Sequence, residues 1–336
     1  MKKILLSIFL ILVLSAAVYS QESMDQRVAI VNLSKSEIIS RKQLDQTIKV
    51  LQHAGVNKSE QEVLEVMVED VLLRQAAEKD GITVSDAEVL SAVRKEVGAG
   101  ANVTDEQLKD FVEQRMNVSW TVYADRSKTT LAVQRYIRKV KGSKLANIPA
   151  PSDEEVKRFY DENTKQFFMP KRVTLDHVYV DTRGLNSVEQ QKALERINGY
   201  SKQIGRSSAE FDKVVELSDD SASKYNHGRF GTLRIDDTNR RKFMGDEFFD
   251  TVFNLSKGTI SSVIKSNVGY HIVRVESVDE PRLLGLNEKV SDEQNITVKD
   301  TIVQYLTAKK QDTVFKESVR EVTDDLKKKA TIKYFL

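Results

Sequence analysis

Apolar side chains in the first half of the chain recur every three or four residues, the spacing of one face of an α-helix. Val63, Met67 and Val71 run beside Leu64, Val68 and Leu72, and Gly81 follows as a stop; Val89 and Val93 begin the next stripe, which ends near Gly98. The pattern predicts amphipathic helices at 40–54, 60–80, 85–97, 104–116, roughly 120–140 and 152–166. Four starts are marked by a hydroxyl residue with Glu or Gln three positions on, at Ser59/Glu62, Ser85/Glu88, Thr104/Gln107 and Ser152/Glu155. Before them, Arg27 to Leu33 reads as a short strand.

The period changes after Pro170. Val173, Leu175, His177 and Tyr179 alternate with Thr174, Asp176, Val178 and Val180, a strand pattern. Helices follow at 187–204, opened by Ser187/Gln190, and at 208–217. A glycine-containing stretch through 226–231 leads to a short helix near 246–254 and strands near 259–264 and 270–276. The order β-α-α-β-α-β-β predicts an α+β unit of about 110 residues around a small antiparallel sheet. Beyond Pro281 the period returns to that of a helix through Ile302, Tyr305, Leu306, Val314, Val319, Val322 and Leu326, before a β-like tail at 331–336. A helix this amphipathic needs an apolar partner surface. Folding back on the N-terminal helices satisfies it and makes the central unit an insertion in a helical domain.

The chain has 336 residues, 40% of them hydrophobic and 30% charged, with no cysteine and only four prolines. That is a soluble globular composition with room for two domains. Absence of cysteine removes disulfides, thiol nucleophiles, Cys-ligated zinc and acylated-cysteine anchors. The prolines, Pro149, Pro151, Pro170 and Pro281, fall where the hydrophobic period changes.

Lys2 and Lys3 precede an apolar run from Ile4 to Val18 and small residues up to Ser20, the pattern of a signal peptide cleaved before Gln21; an uncleaved anchor helix is the alternative. Removal of the two lysines leaves 50 basic against 50 acidic residues, so nothing points to nucleic acid.

Metalloprotease, P-loop, dinucleotide-binding and serine-hydrolase motifs are absent. The histidines, His53, His177, His227 and His271, include no i, i+4 pair, and neither a metal nor a cofactor is expected. Four segments instead carry a family signature in register: Val173 to Val180 with His177; Phe211 to Asp220 followed by Gly228-Arg-Phe-Gly231; Met244 and Phe248 running into Ser256-Lys-Gly258; and Val268-Gly-Tyr-His271-Ile-Val-Arg-Val275.

Residues 170–279 thereby resemble a parvulin-type peptidyl-prolyl cis-trans isomerase domain. The resemblance implies catalytic roles for His177, Asp220, His271 and Ser266, and a proline pocket built from Met244, Phe248 and Phe230. The chain departs from the common pattern at Arg229-Phe230, Leu233, Gly245 and Val268. No compact basic cluster follows the first strand, so phosphorylated substrates are not indicated.

Around this unit, Glu65 to Arg74, Gly81 to Glu88 and Pro151 to Tyr160 are similar to the chaperone domain of SurA and PrsA type exported foldases. The implied organisation is a signal peptide at 1–20, a helical chaperone-like domain at 21–169, an isomerase domain at 170–279 and a C-terminal segment at 280–336 packing back on the helices. The PrsA type is usually anchored through a lipidated cysteine, which this chain lacks. The implied function is isomerisation of X-Pro bonds in unfolded or nascent exported polypeptides, with outer-membrane proteins among the implied clients, in the periplasm or cell envelope. The alternative is a parvulin-fold chaperone of little or no catalytic activity that binds unfolded clients.

Overall fold

The structure is a computed structural model that describes residues 26–100, 102–290 and 295–336; the signal-peptide segment lies outside the described residues. It has an α+β fold, and its described residues divide into two compact units, one of residues 26–150 with 306–336 and one of residues 151–305.

Unit 1 is built on a three-stranded antiparallel sheet of order β2-β1-β9, with β1 at Arg27–Asn32, β2 at Ser36–Ser40 and β9 at Thr331–Tyr334. Here the chain's last strand pairs with its first, Val31 opposite Ile332. Its helices are α1 (Arg41–His53), α2 (Glu60–Lys79), α3 (Asp86–Val97), α4 (Asp105–Met116) and α5 (Trp120–Ala146). Each of the first four begins with a reciprocal capping box, worth about 1 kcal/mol. The main core joins Val28 and Val31 of the sheet to Leu64, Val68 and Leu72 of α2, Ile137 of α5 and Val322 and Leu326 near the C-terminus. A second, smaller core of Val89, Val93, Leu108, Val112 and Tyr123 holds α3, α4 and the start of α5 together. Fully buried Gln75 accepts hydrogen bonds from the Leu33 and Ser34 amides at 3.1 Å each, satisfying donors left open by the β1–β2 turn.

Unit 2 begins with α6 (Asp153–Glu162), a 3-10 turn at Thr164–Phe167 and β3 (Phe168–Met169). Then come β4 (Arg172–Asp181), α7 (Ser187–Ile204), α8 (Ser208–Val215), the single turn α9 (Ser221–Lys224), β5 (Arg229–Arg234), α10 (Thr238–Met244) and α11 (Asp246–Phe253). It ends with β6 (Ile264–Lys265), β7 (Gly269–Asp279), β8 (Arg282–Leu283) and the first residues of α12 (Val298–Lys329). The main sheet is antiparallel, of order β5-β4-β7-β6. Strand β4 is buried on both faces. Val178 and Val180 meet Ile197, Phe211 and Val214 of α7 and α8, while Val173, Leu175 and Tyr179 meet Met244, Phe248, Phe249 and Val252 of α10 and α11.

Several boundaries differ from the sequence pattern. The 152–166 helix, expected with the chaperone-like domain, falls in unit 2, as does the stretch 280–305. Phe159 packs on Phe167 and Tyr305, the Tyr160 hydroxyl donates to Leu284 O at 2.7 Å, and β3 pairs with β8. Pro170 and Pro281 therefore separate paired strands inside unit 2 instead of marking its edges. The cap of α7 is Asn186 with Glu189, one residue before the expected Ser187, because the Asn186 carboxamide reaches both the Val188 and Glu189 amides. The strand expected near 259–264 is reduced to Ile264–Lys265 and one bridge at Ile260. The charge run Asn239–Lys242 is helical. Asp237 caps it, and Arg241 pairs with Asp246 and Asp250 at the start of α11.

Candidate active site

Antiparallel pairing sets the two buried histidines on one face of the sheet. Tyr179 of β4 stands opposite His271 of β7, and His177 stands opposite Val273, so the histidines are diagonal neighbours. Their Nδ1 atoms are 3.2 Å apart. His177 Nε2 lies 2.9 Å from Asp220 Oδ2 and 3.0 Å from Ser223 Oγ, and His271 Nε2 lies 2.8 Å from Ser266 Oγ. Asp220 is aimed by its place as the cap of α9, where Oδ1 accepts from the Ala222 amide at 3.2 Å.

The protons in this chain follow from chemistry. An ionised carboxylate only accepts, so His177 Nε2 carries hydrogen. With a neutral ring, His177 Nδ1 then accepts from His271 Nδ1–H, and His271 Nε2 accepts from the Ser266 hydroxyl. Ser266 Oγ in turn accepts from the Val268 and Gly269 amides, both at 3.1 Å, which leaves it saturated. With both rings neutral the chain closes in this order, and the Ser266 proton has a second acceptor in Gly269 O at 3.1 Å. Burial pushes the His177 imidazole below its ordinary value, against the opposing pull of Asp220, and pushes His271 well below, with repulsion from His177 adding to the effect. Partial burial alone would raise the Asp220 carboxyl; hydrogen bonds involving Ser223, His177 and the Ala222 amide outweigh it and hold the group below its ordinary value.

A pH dependence follows. The folded-state histidine values are depressed, so the unfolded chain binds more protons between those values and the ordinary 6.5. This contribution to stability is complete above pH 6.5 and is lost as the pH falls toward the depressed values. Activity that depends on the neutral chain should stay level from pH 8 down through 6.5, with its acid limb below that; kcat/KM and unfolding free energy measured across pH 4–8 check both. An acid limb centred at or above 6.5 would contradict the neutral chain.

The histidines and Asp220 form one wall of an open cavity of about 140 Å³. That is close to the ~150 Å³ of an apolar cavity able to take a benzene ring. Met244, Phe230, Phe243, Val268 and Tyr179 supply the apolar lining, and Arg183 is also a lining residue. Among the described residues no group of carboxylate and histidine side chains is placed to hold a metal.

Residues 151–290 match the family described as the PPIC-type PPIASE domain. Foldase protein PrsA of Caldanaerobacter subterraneus is 30% identical to this chain over 261 residues, which span 77% of this chain and 67% of that protein. The chain belongs to the PrsA foldase family. The PrsA foldase of Clostridium botulinum is 24% identical over 268 residues, spanning 79% of this chain and 71% of that protein. One solved structure, from work on two SurA-like chaperones of Campylobacter jejuni, is 24% identical with a TM-score of 0.39 and covers 75% of this chain and 96% of its own. This PrsA-family chain is a peptidyl-prolyl cis-trans isomerase by its domain.

Within this foldase, His177, Asp220, His271, Met244 and Phe230 all border the cavity. Ser266 and Phe248 stand behind it. Ser266 is buried against His271, and the fully buried Phe248 ring supports His271 at 4.8 Å and Phe230 at 6.1 Å between centroids. Ser223, Phe243 and Arg183 carry no motif in the sequence, and Tyr179 fits there as one more apolar position in an alternating strand.

Tyr179 does more than fill the core. Its ring stacks on His177 at 5.9 Å and on His271 at 4.8 Å, and its hydroxyl donates to Val268 O at 2.7 Å. Its backbone amide donates to Ser218 Oγ at 3.0 Å, and its carbonyl accepts from the Asp219 amide at 2.8 Å. One residue thus fixes both the turn before His271 and the segment leading to Asp220. Tyr179→Phe removes the hydroxyl alone and should lower kcat about fivefold, the equivalent of one hydrogen bond of about 1 kcal/mol, with KM nearly unchanged. A KM increase with constant kcat would assign the hydroxyl to substrate binding.

Proposed function

We propose that this foldase isomerises X-Pro peptide bonds in unfolded exported polypeptides at the pocket of His177, His271 and Asp220, while unit 1 holds unfolded segments. The observation that carries the reading is a hydrogen-bonded chain of Asp220, His177, His271 and Ser266 beside a ring-sized, largely apolar cavity. Planar X-Pro amides interconvert over a barrier of roughly 18–20 kcal/mol, through a twisted state that has lost amide resonance. No bond to carbon breaks. Catalysis therefore reduces to binding the twisted amide better than either planar isomer.

The planar amide owes its large dipole to resonance, and the twisted one has a smaller separation of charge. An apolar slot formed by Met244, Phe230, Phe243 and Val268 favours the less polar form and grips the pyrrolidine ring. The Asp220 carboxylate disfavours the partial negative charge that resonance places on the carbonyl oxygen. His177 and His271 hold that carboxylate and the cavity wall rigid, with no proton transferred. Met244→Ala should enlarge the slot and raise KM for proline peptides several-fold, as steady-state kinetics would read.

The N-terminal cationic and apolar segment supports export to the periplasm or cell envelope, and among the described residues no helix is long and apolar enough to cross a membrane. Exposed Phe111, Met116 and Val122 in unit 1 support the holding role. The test is refolding of a protein limited by proline isomerisation, whose slow phase takes roughly 10–100 s. Catalytic amounts of the foldase should shorten that phase, and an unchanged phase would refute the isomerase reading. Suppression of client aggregation should persist in the Asp220→Ala/Met244→Ala double variant, and its loss there would refute the division of labour.

A further inference from the structure

The cavity wall carries charge that the isomerisation chemistry leaves unused. Arg183 is the single cation among the lining residues, and it is clamped by Asp181 two positions before it. Arg183 Nε stands 3.0 and 3.1 Å from the two Asp181 oxygens, Nη2 stands 2.5 Å from Oδ2, and the Arg183 amide donates to Oδ1 at 2.9 Å. A planar guanidinium held on a carboxylate in this way is charge-neutralised and fixed in orientation.

The neighbouring charges extend the bookkeeping. Asp219 accepts from the Asp181 amide at 3.0 Å and is paired with Arg196. Asp220, with its neutral histidine partner, has no cation of its own. Of these groups only Arg183 and Asp220 line the cavity, and with Arg183 held by Asp181 the Asp220 carboxylate is the lining charge with no lysine or arginine partner among the described residues. An arginine that could have drawn an acidic or phosphorylated side chain is already occupied.

Resting on the isomerase reading of the same pocket, we propose that the Asp181–Arg183 pair determines substrate class: the pocket takes proline segments whose flanking residues are neutral or basic and discriminates against acidic and phosphorylated ones. Arg183 and Asp181 side chains are 60% and 34% exposed, so solvent screening limits the discrimination to about two- to fivefold. Removing the Asp181 charge releases the guanidinium to offset the Asp220 carboxylate, which removes the bias.

The test uses tetrapeptides of one sequence with Lys, Ala, Glu or phosphoserine before proline. kcat/KM is measured for the full chain, and fluorescence anisotropy of labelled peptides gives their affinities. Lys and Ala peptides should exceed Glu and phosphoserine peptides by about two- to fivefold. Asp181→Asn should bring Glu level with Lys, whereas Arg183→Gln should deepen the bias against Glu. Near 1 M salt, where the screening length is about 3 Å, the differences should collapse. Wild type favouring Glu or phosphoserine over Lys, or an order unaltered in Asp181→Asn, overturns the proposal. Peptides that bind in the expected order without turnover support it and count against the isomerase reading alone.

Discussion

Gly269→Ala should destabilise unit 2 by about 3 kcal/mol or more, because among the described glycines a Cβ at Gly269 meets the closest neighbour. Gly269 opens β7 opposite Asp181, and a Cβ there would overlap the Val180 carbonyl oxygen and stand 2.8 Å from Tyr179 Cε2. Neither neighbour can yield cheaply. Val180 O belongs to the backbone of the central strand, and the Tyr179 ring is stacked between the histidines and the Val268 carbonyl. Relief would require β4 and β7 to part at the point where Ser266 and His271 are held, so activity should fall with stability. Calorimetry of the full chain should show the unit 2 transition lowered by about 10 °C with that of unit 1 unmoved. A shift of under 2 °C would mean that the strand end accommodates the methyl group freely.

Asp220→Ala should reduce kcat/KM by about 10- to 100-fold, the value of a hydrogen bond to a charged group at about 1.5–3 kcal/mol. The substitution removes the only anion that fixes the proton order along the chain. His177 Nε2–H would retain Ser223 as its partner, but either tautomer of either ring would then be allowed. Asp220→Asn keeps an oxygen acceptor for His177 while cancelling the charge, and should fall between the two. Equal activity of the alanine and asparagine variants would place the effect in charge alone. A loss in the alanine variant that asparagine restores, together with the unfolding temperature, would place it in the α9 cap, because an asparagine side-chain oxygen can accept from the Ala222 amide as Asp220 does.

Much of this was legible in the sequence, for identifiable physical reasons. Strand β4 is buried on both faces, so its alternation of apolar residues left little freedom in register, and the long helices announced themselves through stripes and caps. His177, Asp220 and His271 were found because motifs in register carried them, though 43 residues separate the first pair. What escaped depends on tertiary partners. α10 contains Arg240 and Arg241, which look solvated until Asp246, Asp250 and the Phe249 ring, 5.4 Å from the Arg241 guanidinium, partner Arg241 and Thr232 O accepts from Arg240 at 3.0 Å. Ser223 belongs to a single turn with no periodicity of its own, and Tyr179 obeys the strand pattern so well that its hydroxyl went unremarked. Arg183 was passed over because a lone arginine two residues after an aspartate is no motif until the fold places it on a cavity wall.

The most direct test of the central claim is two-dimensional exchange NMR on a short X-Pro peptide with and without the full chain, which reads interconversion of the isomers without a coupling protease. Uncatalysed exchange, over tens of seconds or longer, is too slow to give cross-peaks on the mixing timescale. Exchange peaks linking the cis and trans proline signals should appear with the wild type and fade in proportion in Asp220→Ala. Broadening of the peptide signals by wild type with no exchange peaks would mean that the pocket binds proline without turning it, and would contradict the account.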